Sequence, residues 1–337
     1  MQQVVADPLS PFVYLFVGGC WYFYNQTDPP LGEGATGTVY LGFNHATRAH
    51  VAIKRIRDEY TGIEQVRECA RREASLVFRH PNIVRMIGFC EAFYGSGPMF
   101  VLSEYIEGVT FEEHVRRHLS TFTEKERTLR IVENIRPILS ALQYLHDNGI
   151  IHKDVKPSNI MIDSHSCVKL MDLGVANALQ DRNGRVREFI GTPQYAAPEQ
   201  IPDERDEVRI DARTDIYSFG VTLYELITGR NPFDGSTTDE TLDNQRHKPL
   251  PEHPLLPPEL FGILRRATEK RPEERYASAA EMDLALCRFL SVCRSGSDED
   301  EDEDGDGDGH GSGRTIITIG SIVLAIAGSL LLLLVIL

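Results

Sequence analysis

This sequence of 337 residues lacks the cysteine patterns that indicate a disulfide framework or a zinc site. Its six cysteines are scattered, none forms a Cys-x-x-Cys pair, and no group of His and Cys residues has zinc-ligand spacing. Scattered cysteines indicate reduced thiols, which are typical of a cytosolic domain. The length suits one large two-lobed domain or two smaller ones.

A basic stripe is also absent, which argues against nucleic acid as a partner. The formal net charge is −15, and the nine acidic residues at 298–308 leave about −6 for the rest of the chain. Like charges and glycine prevent a packed core. We therefore predict that residues 291–314 form an acidic, Gly-rich linker.

No basic segment precedes the first apolar stretch, residues 11–24, and this stretch is shorter than a membrane span. Neither a signal peptide nor a transmembrane helix is therefore predicted there. We interpret residues 1–24 as an apolar segment of unknown role, with a strand or a lobe-packing segment as the simplest structure.

One long apolar run is present, at residues 315–337, and it contains no charged residue. At about 1.5 Å per residue, a helix of this length spans the roughly 30 Å hydrocarbon core of a bilayer. We predict a C-terminal, single-pass transmembrane helix, with the preceding domain on the cytoplasmic side, where Arg314 lies. One side of this predicted helix carries the small residues Ser321, Ala325 and Ser329. Small residues let two helices pack closely, so a homodimer through this side stays open.

Residues 25–290 predict an α+β domain. Residues 31–57 indicate strands around a glycine-rich turn, and residues 63–78 indicate a helix. Helical patterns dominate from about residue 124, interrupted by short strand-like pieces at 160–171. This order predicts a small β-rich lobe followed by a larger helical lobe.

The segment LGEGATGTV places Gly32, Gly34 and Gly37 in the order G-x-G-x-x-G. Dinucleotide-binding loops share this order but lead from a strand into a helix, whereas β-forming residues follow here. A glycine turn between two strands lets backbone groups close over phosphate oxygens. The predicted nucleotide-binding residues of this loop are Leu31, Gly32, Glu33, Gly34, Ala35, Thr36, Gly37, Thr38 and Val39.

Two further motifs carry charged residues. Lys54 lies in the apolar segment VAIK, where a lysine needs an anionic partner, and Glu73 in the predicted helix is the candidate. In HKDVKPSN, Asp154, Lys156 and Asn159 have the spacing of a phosphoryl-transfer centre.

These motifs are followed, in order, by DLG at 172–174 and APE at 197–199. With them the chain resembles the eukaryotic-type protein kinase family over about residues 30–290. The resemblance implies a bilobal protein kinase fold. It also implies transfer of the γ-phosphate of ATP, with Mg²⁺ or Mn²⁺, to hydroxyl groups of protein substrates.

The resemblance implies roles for individual residues. Asp154 would orient the substrate hydroxyl, and Lys156 would stabilise the γ-phosphate. Lys54, paired with Glu73, would bind the α- and β-phosphates. The implied metal ligands are Asn159 and Asp172.

The implied adenine pocket has apolar walls and is bordered by the backbone of a hinge. Its residues are Val39, Ala52 and Met161 for the walls, and Glu104 and Ile106 for the hinge. Ser103 would form the gate to the back of the pocket. A shift of one residue in the alignment would place Leu102 there instead.

Lys156, two residues after Asp154, is typical of kinases that act on serine and threonine. Thr192 agrees, because its hydroxyl can bridge Asp154 and Lys156 beside a short substrate side chain. The resemblance implies two further contacts, Glu199 with Arg275 and Asp215 with the backbone of the catalytic loop.

Lys153 stands where much of the family has an arginine that binds an activating phosphate. Residues 172–191 contain no Ser, Thr or Tyr. By the resemblance, Glu188 occupies the position at which many members of the family have a regulatory phosphothreonine. We hypothesise that Glu188 pairs with Lys153 and orders this segment. The alternative, in which both side chains are solvated until a partner binds, stays open.

Two other functions compete with a membrane-anchored serine/threonine kinase. A pseudokinase scaffold would keep the fold without catalysis, and the presence of Lys54, Asp154, Asn159 and Asp172 argues against it. A small-molecule phosphotransferase of related fold would lack the segment GTPQYAAPE, which is present at 191–199.

Overall fold

A computed structural model of the chain describes residues 3–6, 9–34, 36–75, 78–92, 97–172, 191–201 and 210–295. For Gln65, Cys69 and Glu73 it describes the backbone alone. Within these ranges the chain forms a β-rich N-terminal lobe and a helical C-terminal lobe, as the sequence predicts.

The N-terminal lobe is built on one antiparallel sheet of eight strands, in the order β1-β2-β3-β5-β6-β8-β7, with β4 paired beside β5. The strands are β1 Val4–Ala6, β2 Phe12–Val17, β3 Cys20–Asn25, β4 Gly32–Glu33, β5 Gly37–Asn44, β6 His50–Ile56, β7 Met86–Glu91 and β8 Met99–Glu104. The sheet curls so far that a Cβ on Gly88 of β7 would lie 2.6 Å from Val17 Cγ1 of β2. Its inner side is the core of the lobe, and it includes Leu15, Ile53 and Leu102.

The apolar N-terminal segment joins this sheet as a hairpin of β2 and β3. Gly18 and Gly19 form its turn with φ of 57° and 82°, values that favour glycine. Along β2, Val13, Leu15 and Val17 are buried and alternate with more exposed aromatic residues. Strand β3 crosses the boundary predicted at residues 24 and 25 and pairs with β5, so the hairpin extends the sheet that carries the glycine-rich loop.

Helix α1 (Glu64–Ser75) packs on the other side of the sheet through Val66, Ala70 and Ala74. An ion pair connects this helix to β7, and the sequence analysis did not predict it. Buried Arg67 donates to Glu91, itself nearly buried, and Arg71 donates to the same carboxylate.

The C-terminal lobe contains the remaining described helices and a small sheet of order β11-β10-β9. Its helices are α2 Phe111–His118, α3 Glu124–Ile135, α4 Pro137–Asp147, α5 Arg213–Thr228, α6 Thr238–His247, α7 Pro258–Ala267 and α8 Ala279–Ser295. The strands are β9 Gly108–Thr110, β10 Ile160–Asp163 and β11 Val168–Leu170. Helix α5 is buried along nearly its whole length and forms the centre of the lobe, so it can anchor the loops around it.

Local sequence explains where some helices begin and end. A capping box of Thr123 and Glu126 starts α3, and Thr110 and Thr237 cap α2 and α6. Helix α5 ends at Gly229, whose φ of 73° suits a glycine C-cap.

Among the described residues, none of the helices is both long enough and apolar enough to cross a bilayer. The predicted transmembrane segment, residues 315–337, and nearly all of the predicted linker lie outside the described residues.

Candidate active site

The glycine-rich segment forms the hairpin of β4 and β5, as predicted. Gly32 pairs with Val39 and Glu33 with Thr38, and the Gly34 amide donates to the Gly37 carbonyl over 2.9 Å. A Cβ at Gly37 would lie 2.3 Å from the Arg55 carbonyl oxygen, which explains glycine there. Ala35 lies outside the described residues.

Strand register decides which side chains face the cleft between the lobes. Lys54 of β6 is opposite Val39 of β5, and Ala52 is opposite Ser103 of β8. Cross-strand partners share a side of the sheet, so these residues lie on the same side as Lys54. Leu102 points to the opposite side and is completely buried in the core. Of the two candidates for the gate, the register therefore favours Ser103.

Of the two predicted hinge residues, Glu104 ends β8 and Ile106 lies between β8 and β9. The Glu104 carboxylate accepts from the Arg85 amide over 3.0 Å and from Lys169 Nζ over 2.8 Å. Its side chain is therefore engaged in the protein, and backbone groups are left for a nucleotide. Ile106 is buried, and Met161 of β10 is half-buried beside Thr110 of β9.

Lys54 reaches across the cleft to Asp172, with Nζ 2.8 Å from Oδ1. Burial by itself would raise the pKa of the Asp172 carboxyl, but Lys54, with Lys156 and His152 nearby, lowers it below its ordinary value. Asp172 also has a φ of 54°, in the left-handed region that non-glycine residues seldom adopt. Because only the backbone of Glu73 is described, its predicted pairing with Lys54 stays a prediction.

Asp154 lies at the centre of a hydrogen-bonded group. Lys156 Nζ is 2.7 Å from Asp154 Oδ2 and donates to Thr192 Oγ1 over 2.6 Å. The Thr192 hydroxyl in turn donates to Asp154 Oδ1 over 3.0 Å. Asn159 Nδ2 donates to both the carbonyl and the carboxylate of Asp154, over 2.8 and 3.0 Å. The predicted bridge through Thr192 is present.

The backbone of the catalytic loop is fixed by a buried carboxylate. Asp215 of α5 accepts from the amides of His152 and Lys153, over 2.8 and 2.7 Å. It also lies 2.7 Å from His146 Nε2. Two bonds to successive amides hold Lys153 at a φ of 67°, another left-handed value. The predicted contact of Asp215 is confirmed, while His146 was not foreseen.

Glu199, in the segment GTPQYAAPE, is held by a buried ion pair that contains two parallel hydrogen bonds. Arg275 donates from Nη1 and Nη2 to the two oxygens of Glu199, over 2.7 and 2.8 Å. Thr214 donates to the same carboxylate over 2.7 Å. The predicted contact between Glu199 and Arg275 is confirmed, and such planar pairing needs arginine rather than lysine.

The chain segments that carry the two candidate metal ligands, Asn159 and Asp172, are adjacent, because the Met171 amide donates to the Asn159 carbonyl over 2.8 Å. A carboxylate and an amide oxygen form a donor set that fits Mg²⁺ and Mn²⁺, which prefer oxygen ligands. Within the described ranges, no cluster of three or more His, Cys, Asp or Glu residues suggests a different metal site.

A cavity of about 710 Å³ opens next to Lys156 and Thr192. It is also lined by Tyr195, Glu225, Asn231 and Asp234, which the sequence reading did not assign. Burial, followed by the Glu225 carboxylate, raises the pKa of the Tyr195 hydroxyl. For Tyr195 the available signal was its place within GTPQYAAPE, whereas the spatial position of Glu225 depends on helix α5.

Comparison with known proteins agrees with this geometry. The protein kinase domain family matches residues 25–284. The serine/threonine-protein kinase PknB of Mycobacterium tuberculosis is 37% identical over 268 residues, which cover 77% of this chain and 41% of PknB. A probable serine/threonine-protein kinase of Streptomyces coelicolor is 34% identical, over 78% of this chain and 39% of that protein.

A probable serine/threonine-protein kinase of Clostridium acetobutylicum is 31% identical, over 76% of this chain and 38% of that protein. The chain belongs to the protein kinase family, and these relatives are serine/threonine kinases by name. The matched part spans about two fifths of the length of each relative.

Proposed function

We propose that this chain is an ATP-dependent serine/threonine protein kinase that is anchored to a membrane by residues 315–337. The observation that supports catalysis most directly is the bonded group of Asp154, Lys156 and Thr192. It joins a carboxylate and an ammonium group at one point of the cleft, next to a cavity wide enough for a peptide side chain.

Asp154 is the proposed catalytic carboxylate. Thr192 and Asn159 donate to it, so its oxygens are oriented before a substrate arrives. The hydroxyl of a substrate serine or threonine gives its proton to Asp154 as its oxygen bonds to the γ-phosphorus and the bond to ADP breaks. Lys156 stabilises the negative charge on the transferred group.

Asn159 and Asp172 are the proposed ligands of Mg²⁺ or Mn²⁺. When bound, such an ion neutralises charge on the β- and γ-phosphates. Lys54 already pairs with Asp172 and would turn toward the α- and β-phosphates of the nucleotide. Glu73 is proposed to support Lys54 from helix α1.

The proposed nucleotide site combines the glycine-rich hairpin with apolar walls. It comprises Leu31, Gly32, Glu33, Gly34, Ala35, Thr36, Gly37, Thr38, Val39, Ala52, Met161 and the backbone of Glu104 and Ile106. The small Ser103 leaves the back of this pocket open.

The test is transfer of labelled phosphate from ATP with Mg²⁺ by the purified full chain. Asp154→Asn is expected to abolish transfer, and Asp239→Asn, an exposed carboxylate of α6, is the matched control that keeps it. Phosphoamino-acid analysis is expected to find phosphoserine or phosphothreonine. Phosphotyrosine alone would contradict the proposed specificity.

A pseudokinase scaffold is the second candidate. It predicts that the wild type and Asp154→Asn give equal, background transfer although both bind nucleotide. Phosphate transfer by the wild type that is lost in Asp154→Asn excludes this candidate.

Regulation through Glu188 remains part of the proposal. Glu188 lies outside the described residues, and the backbone of Lys153 is held by Asp215 and by Gln200, which donates to its carbonyl. If the Glu188 carboxylate replaces an activating phosphate, Glu188→Ala lowers kcat and phosphatase treatment of the wild type does not. Unchanged kcat in Glu188→Ala would favour the alternative, in which the side chains of Glu188 and Lys153 are solvated.

The proposed organisation has four parts. Residues 1–24 precede the kinase domain of 25–290, residues 291–314 form the linker, and residues 315–337 span the membrane. The domain is proposed to be cytoplasmic, and pairing of the membrane helices would give a homodimer.

A further inference from the structure

One side of the N-terminal strands carries a continuous row of aromatic side chains. The strand register places Tyr14 opposite Phe23 and Phe23 opposite Phe43, across β2, β3 and β5. Phe16 lies opposite Trp21 in the same hairpin. Partners in register share a side of the sheet. The aromatic face is defined here as Phe12, Tyr14, Phe16, Trp21, Phe23 and Phe43.

These rings contact one another on the outside of the curled sheet. Ring centroids of Phe16 and Trp21 are 5.1 Å apart, and those of Phe23 and Phe43 are 5.5 Å apart. Phe12 and Trp21 remain 37% and 36% exposed. The core of the lobe is on the opposite side, so the aromatic face is not needed to fill it.

The hairpin that carries most of the aromatic face is uncharged. Residues 8–27 contain no charged residue, and both flanking residues, Asp7 and Asp28, are acidic. The charged group that stacks on the face is a cation, because the Arg48 guanidinium carbon lies 5.3 Å from the Phe23 ring centroid. His45, in the same turn, contacts Tyr14 and Phe23. This combination complements an anionic, partly apolar surface.

We infer that the aromatic face docks on the lipid surface of a bilayer. Tryptophan and tyrosine rings prefer the interface between headgroups and acyl chains, and arginine is attracted by anionic headgroups. This inference rests on the proposed anchoring by residues 315–337. The intervening residues 296–314 extend to at most about 65 Å, so the domain stays close to the bilayer.

A second copy of the chain is the competing occupant, because aromatic residues are also enriched at protein interfaces. The proposed anchoring favours lipid. It keeps the bilayer at a high effective concentration for every anchored chain, whereas a second copy reaches such a concentration only where the membrane helices pair.

Trp21 is the single tryptophan of the chain, so tryptophan fluorescence reports on the aromatic face alone. The full chain is reconstituted into vesicles of phosphatidylcholine and phosphatidylglycerol, with and without brominated acyl chains. Docking predicts that brominated lipid lowers the Trp21 emission and that iodide in solution quenches it weakly. The loss is expected to be smaller in vesicles without phosphatidylglycerol.

Flotation of the vesicles separates this inference from the anchoring. A chain that floats, but whose Trp21 emission is the same in brominated and ordinary lipid, overturns the docking and leaves the anchoring intact. A chain that does not float overturns both. Phosphate transfer in detergent tests the kinase activity separately.

Exposed Cys20 lies beside Trp21 and tests the competing occupant. A bismaleimide cross-link that is lost in Cys20→Ser, together with unquenched Trp21, would assign the face to a second copy and overturn the inference. Quenched Trp21 without this cross-link supports it.

A matched pair of variants tests the face itself. Phe12→Glu adds a charge to the aromatic face and is expected to reduce the loss of emission in brominated vesicles. Leu284→Glu adds the same charge to α8 at a residue that is 50% exposed, and it is expected to keep the wild-type loss. Equal quenching in the two variants would contradict docking through this face, and phosphate transfer verifies that each is folded.

Discussion

Single side chains determine the hydrogen bonding of the proposed catalytic centre. Thr192 is the least conspicuous of them in the sequence, because an isolated threonine carries no charge. In the fold its hydroxyl donates to Asp154 and accepts from Lys156, residues 38 and 36 positions away. It therefore adds a second connection between two charged groups that also contact each other directly, with Lys156 Nζ 2.7 Å from Asp154 Oδ2.

Thr192→Val removes this hydroxyl at nearly constant volume. A hydrogen bond to a charged group contributes about 1.5–3 kcal/mol, so we expect kcat to fall about 10- to 100-fold with little change in the KM for ATP. Steady-state kinetics measures both constants. Thr192→Ser keeps the hydroxyl and should retain most of the rate; an equal loss in both variants would point to packing instead.

We expect Lys270 to make the stability of the C-terminal lobe depend on pH. Burial, and then the neighbouring Arg275, lowers its pKa to about 7, while Tyr217 and the Gln245 carbonyl accept from its ammonium group. In the unfolded chain the pKa of lysine is about 10.4. Between these values the unfolded state binds more protons, so the free energy of unfolding rises with pH.

The expected slope from Lys270 is at most about 1.4 kcal/mol per pH unit between pH 7 and 10. Denaturant titrations over this range measure it. Lys270→Met should flatten the profile, and Lys248→Met, at an exposed residue of the same lobe, is the control. A slope that is identical in the wild type and Lys270→Met would show that Lys270 does not titrate there.

At the scale of elements, the site depends on how closely strands approach. The β4–β5 hairpin carries the glycine-rich loop, and Gly37 lets β5 start directly against the backbone of β6. The G-x-G-x-x-G order predicted the turn. It did not predict the close contact between Gly37 and Arg55, which arises because β5 pairs with β6.

Gly37→Ala is expected to separate β5 from β6 at this point, because its Cβ would lie 2.3 Å from the Arg55 carbonyl oxygen. Overpacking of this kind costs about 1–3 kcal/mol, and the KM for ATP should rise. Gly262→Ala is the control. Apart from the backbone of its own helix and its chain neighbours, no described atom lies within 4 Å of its added Cβ in α7, and alanine there should raise stability by up to about 1 kcal/mol. Thermal unfolding and ATP titration compare the two, and an unaltered KM in Gly37→Ala would contradict the proposed nucleotide loop.

At the scale of the whole molecule, the chain combines a kinase domain with a predicted anchor. Residues 315–337 are apolar enough that their transfer into a bilayer needs no partner. Deleting them should abolish flotation with vesicles and should leave phosphorylation of a soluble peptide intact. A truncated chain that still floats would place the anchor elsewhere.

Much of the fold and the site followed from local pattern. Alternating apolar residues and glycine turns indicated the strands, and the motif order indicated two lobes. The hairpin of β2 and β3 was harder to predict, because an apolar segment such as 11–24 fits a strand and a lobe-packing segment equally well. Its alternating burial appears only once β3 pairs with β5.

The sequence by itself determined which chemical groups the protein has and the order in which they occur: the glycine loop, Lys54, Asp154, Asn159 and Asp172. Those features are local, and short-range spacing is enough to recognise them. Only the tertiary structure decided which distant groups meet. Lys54 contacts Asp172 across 118 residues, and strand register turns Ser103 rather than Leu102 toward the cleft. Such contacts are set by packing between elements, because a one-residue change of register exchanges the two sides of a strand.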